Sequence, residues 1–251
     1  MGLCMGIKYR KDDDLAFLQY CTEDDLQVLA RYLTHDKDGE PRITSELLDD
    51  QDFKAHSGHA EQYKCCWHLI AGELQYFGGD TFVNVFRGGG VFYKEVLSDV
   101  CDKLKVKFGK TDSVYEIENK LLDKFISDSW EKMSAEQKEE LLKGVGLDGK
   151  LGGAAGLLAL QAALRLGGAA SYKVSIMVAS AVAKMFAGRA LAVVAGGGVL
   201  RGLAILGGPI GLAITTILTV PAISGAAYRV TIPSVIQIAY MRRAYEEQDR
   251  F

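Results

Sequence analysis

Acidic side chains are missing from a long stretch of this chain. Residues 149–245, here called the acid-free stretch, contain no aspartate or glutamate but nine lysines and arginines. Before this stretch the balance is reversed, with 29 acids against 19 lysines and arginines. The cations of the acid-free stretch are isolated among Ala, Gly, Val, Leu and Ile, unlike the clustered cationic face of a nucleic-acid site. We therefore expect no nucleic-acid partner, and we expect the two parts to face different surroundings.

Cysteine is scarce as well. The five cysteines are odd in number, share no repeated spacing and lie in the first part of the chain, at Cys4, Cys21, Cys65, Cys66 and Cys101. This distribution disfavours a disulfide framework and indicates a reducing compartment. Residues 1–10 have no apolar run long enough for a secretory signal. We expect a protein of the cytoplasm and of the cytoplasmic face of the inner membrane.

Strand alternation is also missing, whereas signals for helices fill the first part. Thr22 and Asp25 have the spacing of a capping box, as do Ser134 and Gln137. A 4-3-4-3 spacing predicts one continuous apolar seam on a helix that ends at residues 78–79. The members of this seam are Tyr63, Trp67, Ile70, Leu74 and Phe77. The fold is therefore predicted to be all-α.

The acid-free stretch is rich in small residues four apart, a spacing that lets helix backbones approach closely in membranes. Residues 202–228 carry no charge and exceed the roughly 20 residues that cross a bilayer, so they are the best candidate span. Arg165, Lys184 and Arg189 interrupt the earlier apolar runs, which favours surface helices or insertion only as an assembly. The alternative is a soluble Ala/Gly-rich hairpin buried against the first part.

These patterns predict an acidic helical domain followed by a Gly/Ala-rich apolar helical region suited to membrane insertion. The predicted divisions are the acidic domain at 1–143, with a short helical subdomain at 8–50 and a central segment at 60–107, a Gly-rich linker at 144–150, the basic apolar region at 151–245 and a polar tail at 246–251.

Two groups of residues resemble chemical sites but lack a necessary part. Residues 144–150, GVGLDGK, have the glycine spacing of a phosphate loop, but Leu151 stands where Ser or Thr would hold magnesium. The histidines and cysteines within residues 56–68 lack the paired spacing of a zinc finger. We therefore expect no metal site, no cofactor and no enzymatic activity.

A set of polar residues around the triple glycine 88–90 is the candidate interaction or structural network. Its members are Glu73, Asn84, Arg87, Tyr93, Glu95 and Asp99. Glu95 and Asp99 lie one helical turn apart, and a glycine turn would return Arg87 to them. Paired carboxylates serve acid-base chemistry, but beside an arginine they more often form a salt network between helices. We favour the structural interpretation.

Several cations of the acid-free stretch are candidates for contact with anionic lipid. They are Lys173, Lys184, Arg201, Arg229, Arg242 and Arg243. Lys173 and Lys184 are eleven residues apart and would share one face of a helix. Cations beside apolar runs favour the cytoplasmic side of a membrane.

Two long blocks of sequence resemble a known family. They are KYRKDDDLAFLQYCTEDDLQVLARYLTHDKDGEPRITSEL and GELQYFGGDTFVNVFRGGGVFYKEVLSDVCDKLKV, and they cover most of residues 8–107. Both resemble the YaaW-like family of bacterial proteins. The second block is also distantly similar to the ubiquinol-cytochrome c chaperone domain, whose mitochondrial members help to assemble a membrane respiratory complex. The resemblance implies a helper role and supplies no catalytic or binding residue.

Three functional hypotheses follow. The first is a non-enzymatic, membrane-associated helper or adaptor, in assembly or stress, whose acidic part binds an unidentified partner protein and whose apolar part meets lipid. The second is a pore-forming effector that stores insertable helices. The third is a soluble helical binding module whose Gly/Ala-rich helices form an ordinary core or the interface of a homo-oligomer.

Overall fold

The computed structural model describes residues 6–77, 90–186 and 227–248. These ranges are helical and contain no strand, so the predicted all-α class is confirmed for them. A 3-10 turn at Ala16–Tyr20 precedes α1 Glu23–Thr34, α2 Gln51–Ala55, α3 Gln62–Cys65, α4 Trp67–Phe77, α5 Tyr93–Lys103, α6 Val114–Trp130, α7 Ala135–Val145, α8 Gly153–Leu166, α9 Gly168–Phe186 and α10 Tyr228–Gln248. The candidate span at 202–228 lies almost wholly outside the described residues, and so does the predicted helix end at 78–79.

Side-chain caps set where several helices begin. The Thr22 side chain accepts a hydrogen bond from the Asp25 amide at the start of α1. Ser134 and Gln137 form the reciprocal capping box that opens α7, and Ser113 forms one with Glu116 at the start of α6. Each bond satisfies an amide that the first helical turn leaves without a partner. The helix starts predicted at Thr22 and Ser134 are confirmed.

The predicted apolar seam is broken into two helices, so the prediction of one continuous helix was wrong. Cys66 leaves helical geometry, with φ −103° and ψ 17°, between α3 and α4. The carboxylate of Glu23 accepts hydrogen bonds from the Tyr63 and Lys64 amides, both at 2.9 Å, which ties α3 to the start of α1. The later part of the seam on α4 is buried in the core. Helix α3 is therefore held by the start of α1 and α4 by the core, and the two do not form one straight helix.

One hydrophobic core runs through both parts of the chain. The last helix, α10, packs against α9 of the acid-free stretch and also against α1, α5 and α6 of the acidic part. At residues 144–150, α7 continues to Val145 and ends at Gly146, whose φ of 87° suits glycine. The Leu147 amide then donates to the Leu142 carbonyl at 2.8 Å. The change of charge near residue 149 therefore does not mark a boundary in the core.

Within the described ranges, no helix alone combines the length and apolar character that a membrane crossing requires. Helices α8 and α9 meet these criteria only as a pair, and they join at a bend of 105°. The bend lies at Gly167 and Gly168, whose φ values of 74° and 77° favour glycine.

Candidate functional site

A buried ion cluster lies where α6 meets α10. Glu118 of α6 has no solvent exposure and faces two consecutive arginines of α10. The Arg242 Nε atom lies 3.2 and 3.1 Å from the two carboxylate oxygens of Glu118. Arg243 Nη1 donates to Glu118 Oε2 at 3.1 Å. One carboxylate therefore serves two guanidinium groups.

Neutral acceptors complete much of the arginine coordination. Arg243 donates to the Ala239 carbonyl and to Asn119 Oδ1, both at 2.5 Å, while its Nε atom has no hydrogen-bond partner among the described residues. Arg242 Nη2 donates to the Asp14 carbonyl at 2.8 Å. The guanidinium of Arg243 lies 4.7 Å from the centre of the Tyr115 ring. Oriented dipoles and an aromatic face thus offset the second positive charge.

Tyr93 connects this cluster to the start of α5. Its hydroxyl donates to Glu118 Oε1 at 3.0 Å, and its amide donates to Asp12 Oδ2 at 2.7 Å. Burial, together with the negative charge of Glu118, raises the pKa of Tyr93 well above its ordinary value. The phenol therefore stays protonated and serves as a donor. The cluster joins α5, α6, α10 and the segment before the 3-10 turn.

A second polar cluster joins α1, α9 and α10. The Thr22 hydroxyl donates to Asp25 Oδ2 at 2.7 Å, and the Tyr240 hydroxyl bonds to the same carboxyl group. The Tyr240 ring stacks on Tyr172 with centroids 5.9 Å apart. Gln237 donates to the backbone carbonyl of Asp25 at 3.3 Å. Desolvation raises the pKa of Asp25, although both hydroxyl contacts oppose that rise.

The described members of the predicted polar set lie in different surroundings. Tyr93 lies in the ion cluster, whereas Glu73 is buried elsewhere and accepts from the Glu46 amide at 3.0 Å. Burial raises the pKa of Glu73. Glu95 and Asp99 are exposed on α5, because the opposite side of that helix carries Tyr93 into the core. Two further members, Asn84 and Arg87, lie outside the described residues.

The candidate lipid-contacting cations of the described ranges also lie in different surroundings, some in the core and some in solvent. Arg242 and Arg243 are enclosed by the core instead of forming an outer cationic surface, because Glu118 supplies their counter-charge. Lys173 is partly buried beside Gly146, at the end of α7. The exposed members in the described ranges are Lys184 and Arg229, whereas Arg201 lies outside those ranges.

The sequence interpretation missed Glu118, the residue at the centre of the ion cluster. A signal for it exists, because Val114, Leu121 and Leu122 lie three or four residues away and place Glu118 on the apolar face of α6. An acid on such a face is rarely buried unless it is paired. Its two partners lie 124 and 125 residues further along the chain, so no local spacing identifies them.

Helix α8 presents an exposed apolar surface, here called the outer face of α8. Its two large members are Leu158, which is 63% exposed, and Leu166, which is 81% exposed. The smaller members are the exposed residues Ala154, Ala155 and Ala162, with Arg165 beside them. The opposite side of the helix is buried against α6 and α9.

In the described parts of the chain, no three His, Cys, Asp or Glu side chains converge to hold a metal ion. Cys66, which the sequence places on the apolar seam, is buried, and burial raises the pKa of its thiol to about 11. Neither polar cluster combines an exposed nucleophile with a neighbouring base. The hydrogen bonds and ion pairs of both clusters join helices to one another.

Comparisons with known proteins identify the relatives of the chain. Residues 9–43 match a model described as a domain of unknown function, DUF3944, and residues 65–236 match the model of the ubiquinol-cytochrome C chaperone. The UPF0174 protein YaaW of Escherichia coli is 44% identical over 239 residues, which cover 95% of this chain and 97% of that protein. A UPF0174 protein of Helicobacter pylori is 38% identical over 236 residues, with 93% and 92% covered. No solved structure matches. The resemblance found in the sequence is thus confirmed, and the chain belongs to the UPF0174 (YaaW) family.

Proposed function

We propose that this protein is a non-enzymatic helper or adaptor that works at the cytoplasmic face of the inner membrane. The observation that carries the proposal is the match of residues 65–236 to the ubiquinol-cytochrome C chaperone model. The matched range begins at the end of α3 and extends into α10, so it includes Tyr93, Glu118 and the outer face of α8. The acidic part binds a partner protein, and the apolar part meets lipid.

The character of the polar clusters supports a helper without enzymatic activity. The carboxylate of Glu118 is occupied by two arginines and a tyrosine hydroxyl, and it has no solvent exposure. A general acid or base must reach the proton that it transfers, either directly or through one water. A group enclosed on all sides instead fixes the relative positions of the helices that carry it.

The surface of the acid-free stretch supports the membrane part of the proposal. Exposed leucines on α8 lie in a region with nine cations and no acid. The cytoplasmic leaflet is anionic and attracts lysine and arginine close to its surface. The apolar part of that leaflet therefore suits the exposed aliphatic groups, and its anionic head groups suit the scattered cations.

Fractionation of the full-length protein tests the proposal. Membranes of the expressing cells are washed with high salt, then with carbonate, and are then dissolved in detergent. We expect the protein to stay with membranes through the salt wash, and a detergent-only release would indicate insertion. Recovery in the soluble fraction before any wash would contradict the proposal. Deleting residues 150–245 is not a suitable test, because it would remove α10 from the core of the acidic part.

A pore-forming effector is the second candidate. The observation that favours it is the bent pair of α8 and α9, which together have the apolar length of a span and include a helix stored in the core. Vesicles filled with a quenched dye separate the two candidates. A pore-forming protein releases the dye, whereas a docking helper binds the same vesicles without leakage.

A further inference from the structure

We infer that the outer face of α8 is a membrane-docking surface that lies in the head-group region of an anionic bilayer. This inference rests on the proposed function and assigns its membrane contact to particular residues. Helix α8 has the sequence GAAGLLALQAALRL and is apolar on nearly all of its sides. A helix of that kind is normally covered on every side.

Within the described ranges of the chain, the neighbouring helices cover only the inner side of α8. Gly156 lies so close to Trp130 that an added Cβ atom would come within 2.8 Å of the indole ring. Gln161 also points inward, since its Nε2 atom donates to Asp123 Oδ1 at 2.9 Å. Leu158 and Leu166 remain exposed on the other side. The outer face therefore keeps apolar area that folding has left in water.

The exposed cation beside this face indicates an anionic occupant. Arg165 is exposed near the C-terminal end of α8, and Lys150 is exposed just before its N-terminal end. The sequence of α8 contains no carboxylate to neutralise Arg165, whereas Lys150 lies two residues after the exposed Asp148. Arginine and lysine can keep their charged groups among head groups while their aliphatic stems cover apolar surface. The pattern matches helices that lie in a membrane interface.

The length and attachment of α8 decide its orientation. Its 14 residues span about 21 Å, less than the roughly 30 Å thickness of the hydrocarbon core. The 105° bend directs α9 away from the axis of α8, and residues 174–182 of α9 are buried in the protein core. Helix α8 therefore cannot extend into a straight span while the fold persists. It lies along the membrane plane with its inner side still on the protein.

Lipid fits the outer face of α8 better than a second copy of the chain does. A symmetric pairing of two α8 helices would bury Arg165 of each copy against a helix whose 14 residues include no carboxylate. The outer face also offers almost no hydrogen-bonding side chain besides Arg165. A bilayer needs none, because it takes up apolar groups without directional bonds.

Binding of the purified full-length protein to vesicles tests the inference. The vesicles are phosphatidylcholine with or without phosphatidylglycerol, and co-flotation gives the partition coefficient. The double variant Leu158→Glu/Leu166→Glu is expected to bind at least about tenfold more weakly. Arg165→Gln is expected to bind about fivefold more weakly, and only on the anionic vesicles.

Two further variants make the comparison specific. Ile43→Glu is the matched control, because Ile43 is also a large hydrophobic residue and is fully exposed, at 104%, but lies outside α8. It should bind like the unchanged protein. Leu158→Trp/Leu166→Trp should bind more tightly, since tryptophan favours membrane interfaces. Circular dichroism verifies that every variant keeps its helices.

The outcomes separate failure of the inference from failure of the proposed function. If the unchanged protein does not float with anionic vesicles, both the inference and the membrane part of the proposed function are overturned. If it floats and the double glutamate variant floats equally well, only the assignment to α8 is overturned. The assignment to α8 is also overturned if the double glutamate variant abolishes a concentration-dependent dimer and leaves flotation unchanged, because a second copy of the chain would then cover the outer face of α8.

Discussion

Helices α8 and α10 come from the same acid-free stretch but have different surroundings. Helix α10 is enclosed by helices from both parts of the chain, and its two arginines share the buried Glu118. Helix α8 is enclosed on one side only, and Arg165 stands in solvent beside two exposed leucines. A stretch of uniform composition therefore contains both a helix of the core and the proposed docking surface, and in the core helix the acidic part supplies the counter-charge.

Because Arg242 and Arg243 are enclosed by the core, the stability of the fold depends on their counter-charge, Glu118. Transferring a charged group into the protein interior costs several kcal/mol, and good geometry is needed to offset that cost. In the ion cluster the offset comes from Glu118, Tyr93, Asn119 and backbone carbonyls. Loss of one partner leaves the others buried without compensation, so α10 should respond to such changes far more strongly than α8.

The largest effect is expected for Glu118→Gln, which keeps the shape of the side chain and removes its charge. Two buried arginines then lack their carboxylate, and the free energy of unfolding should fall by about 3–5 kcal/mol. Urea unfolding followed by circular dichroism measures the change. Glu139→Gln is the control, because the Glu139 and Lys143 side chains form an exposed pair, and it should cost less than about 1 kcal/mol. Equal effects of the two changes would refute the special role of the cluster.

Tyr93→Phe should have the next largest effect. It removes the hydroxyl that donates to Glu118 at 3.0 Å and keeps the buried ring. A hydrogen bond to a charged group contributes about 1.5–3 kcal/mol, and the free energy of unfolding should fall by that amount. The same urea experiment measures it. In a Glu118→Gln background the loss should be smaller, and an unchanged loss there would show that the hydroxyl acts elsewhere.

Gly156→Ala and Leu158→Ala compare the two sides of α8. A Cβ atom at position 156 would clash with the Leu151 carbonyl oxygen, so the backbone must shift, at a cost of about 1–3 kcal/mol. Leu158 is exposed, and its truncation should change the free energy of unfolding by less than about 0.5 kcal/mol. Thermal unfolding of both variants gives the ranking. A larger loss for Leu158→Ala would mean that the chain itself covers the outer face.

The smallest effect concerns pH. Because the folded-state pKa of Asp25 is raised, the folded protein binds more protons than the unfolded chain from about pH 4 up to that raised pKa. The contribution of Asp25 to stability is therefore full at lower pH and is lost as the pH rises through this window. Asp25→Asn keeps an oxygen acceptor for Tyr240 and removes the titration. The stability of the unchanged protein minus that of Asp25→Asn should fall as pH rises, and a rising difference would contradict the desolvated carboxyl.

Local signals in the sequence predicted much of the fold. The caps at Thr22 and Ser134 depend on residues three apart, and both helices begin where these pairs predict. The break at Cys66 could not be predicted, because it depends on Glu23, a residue some forty positions earlier that ties down α3. Periodicity describes one helix at a time and contains no information about such an attachment.

The candidate site was predicted less well than the fold. Tyr93, a member of the predicted polar set, lies in the ion cluster, but its partner Glu118 was not predicted. Arg242 and Arg243 were predicted as lipid contacts because they lie beside the apolar runs of the acid-free stretch. Glu118 reaches them only after the chain folds back on itself. The sequence identifies the cations, but which of them are exposed to solvent depends on tertiary packing.

Amide hydrogen exchange of the full-length protein, with and without anionic vesicles, tests the contrast between α8 and α10 most directly. It reads the protection of both helices in one sample. We expect exchange within α8 to slow when vesicles are added, while α10 is already protected and does not change. Unchanged exchange in α8, or loss of protection in α10 on binding, would contradict this expectation.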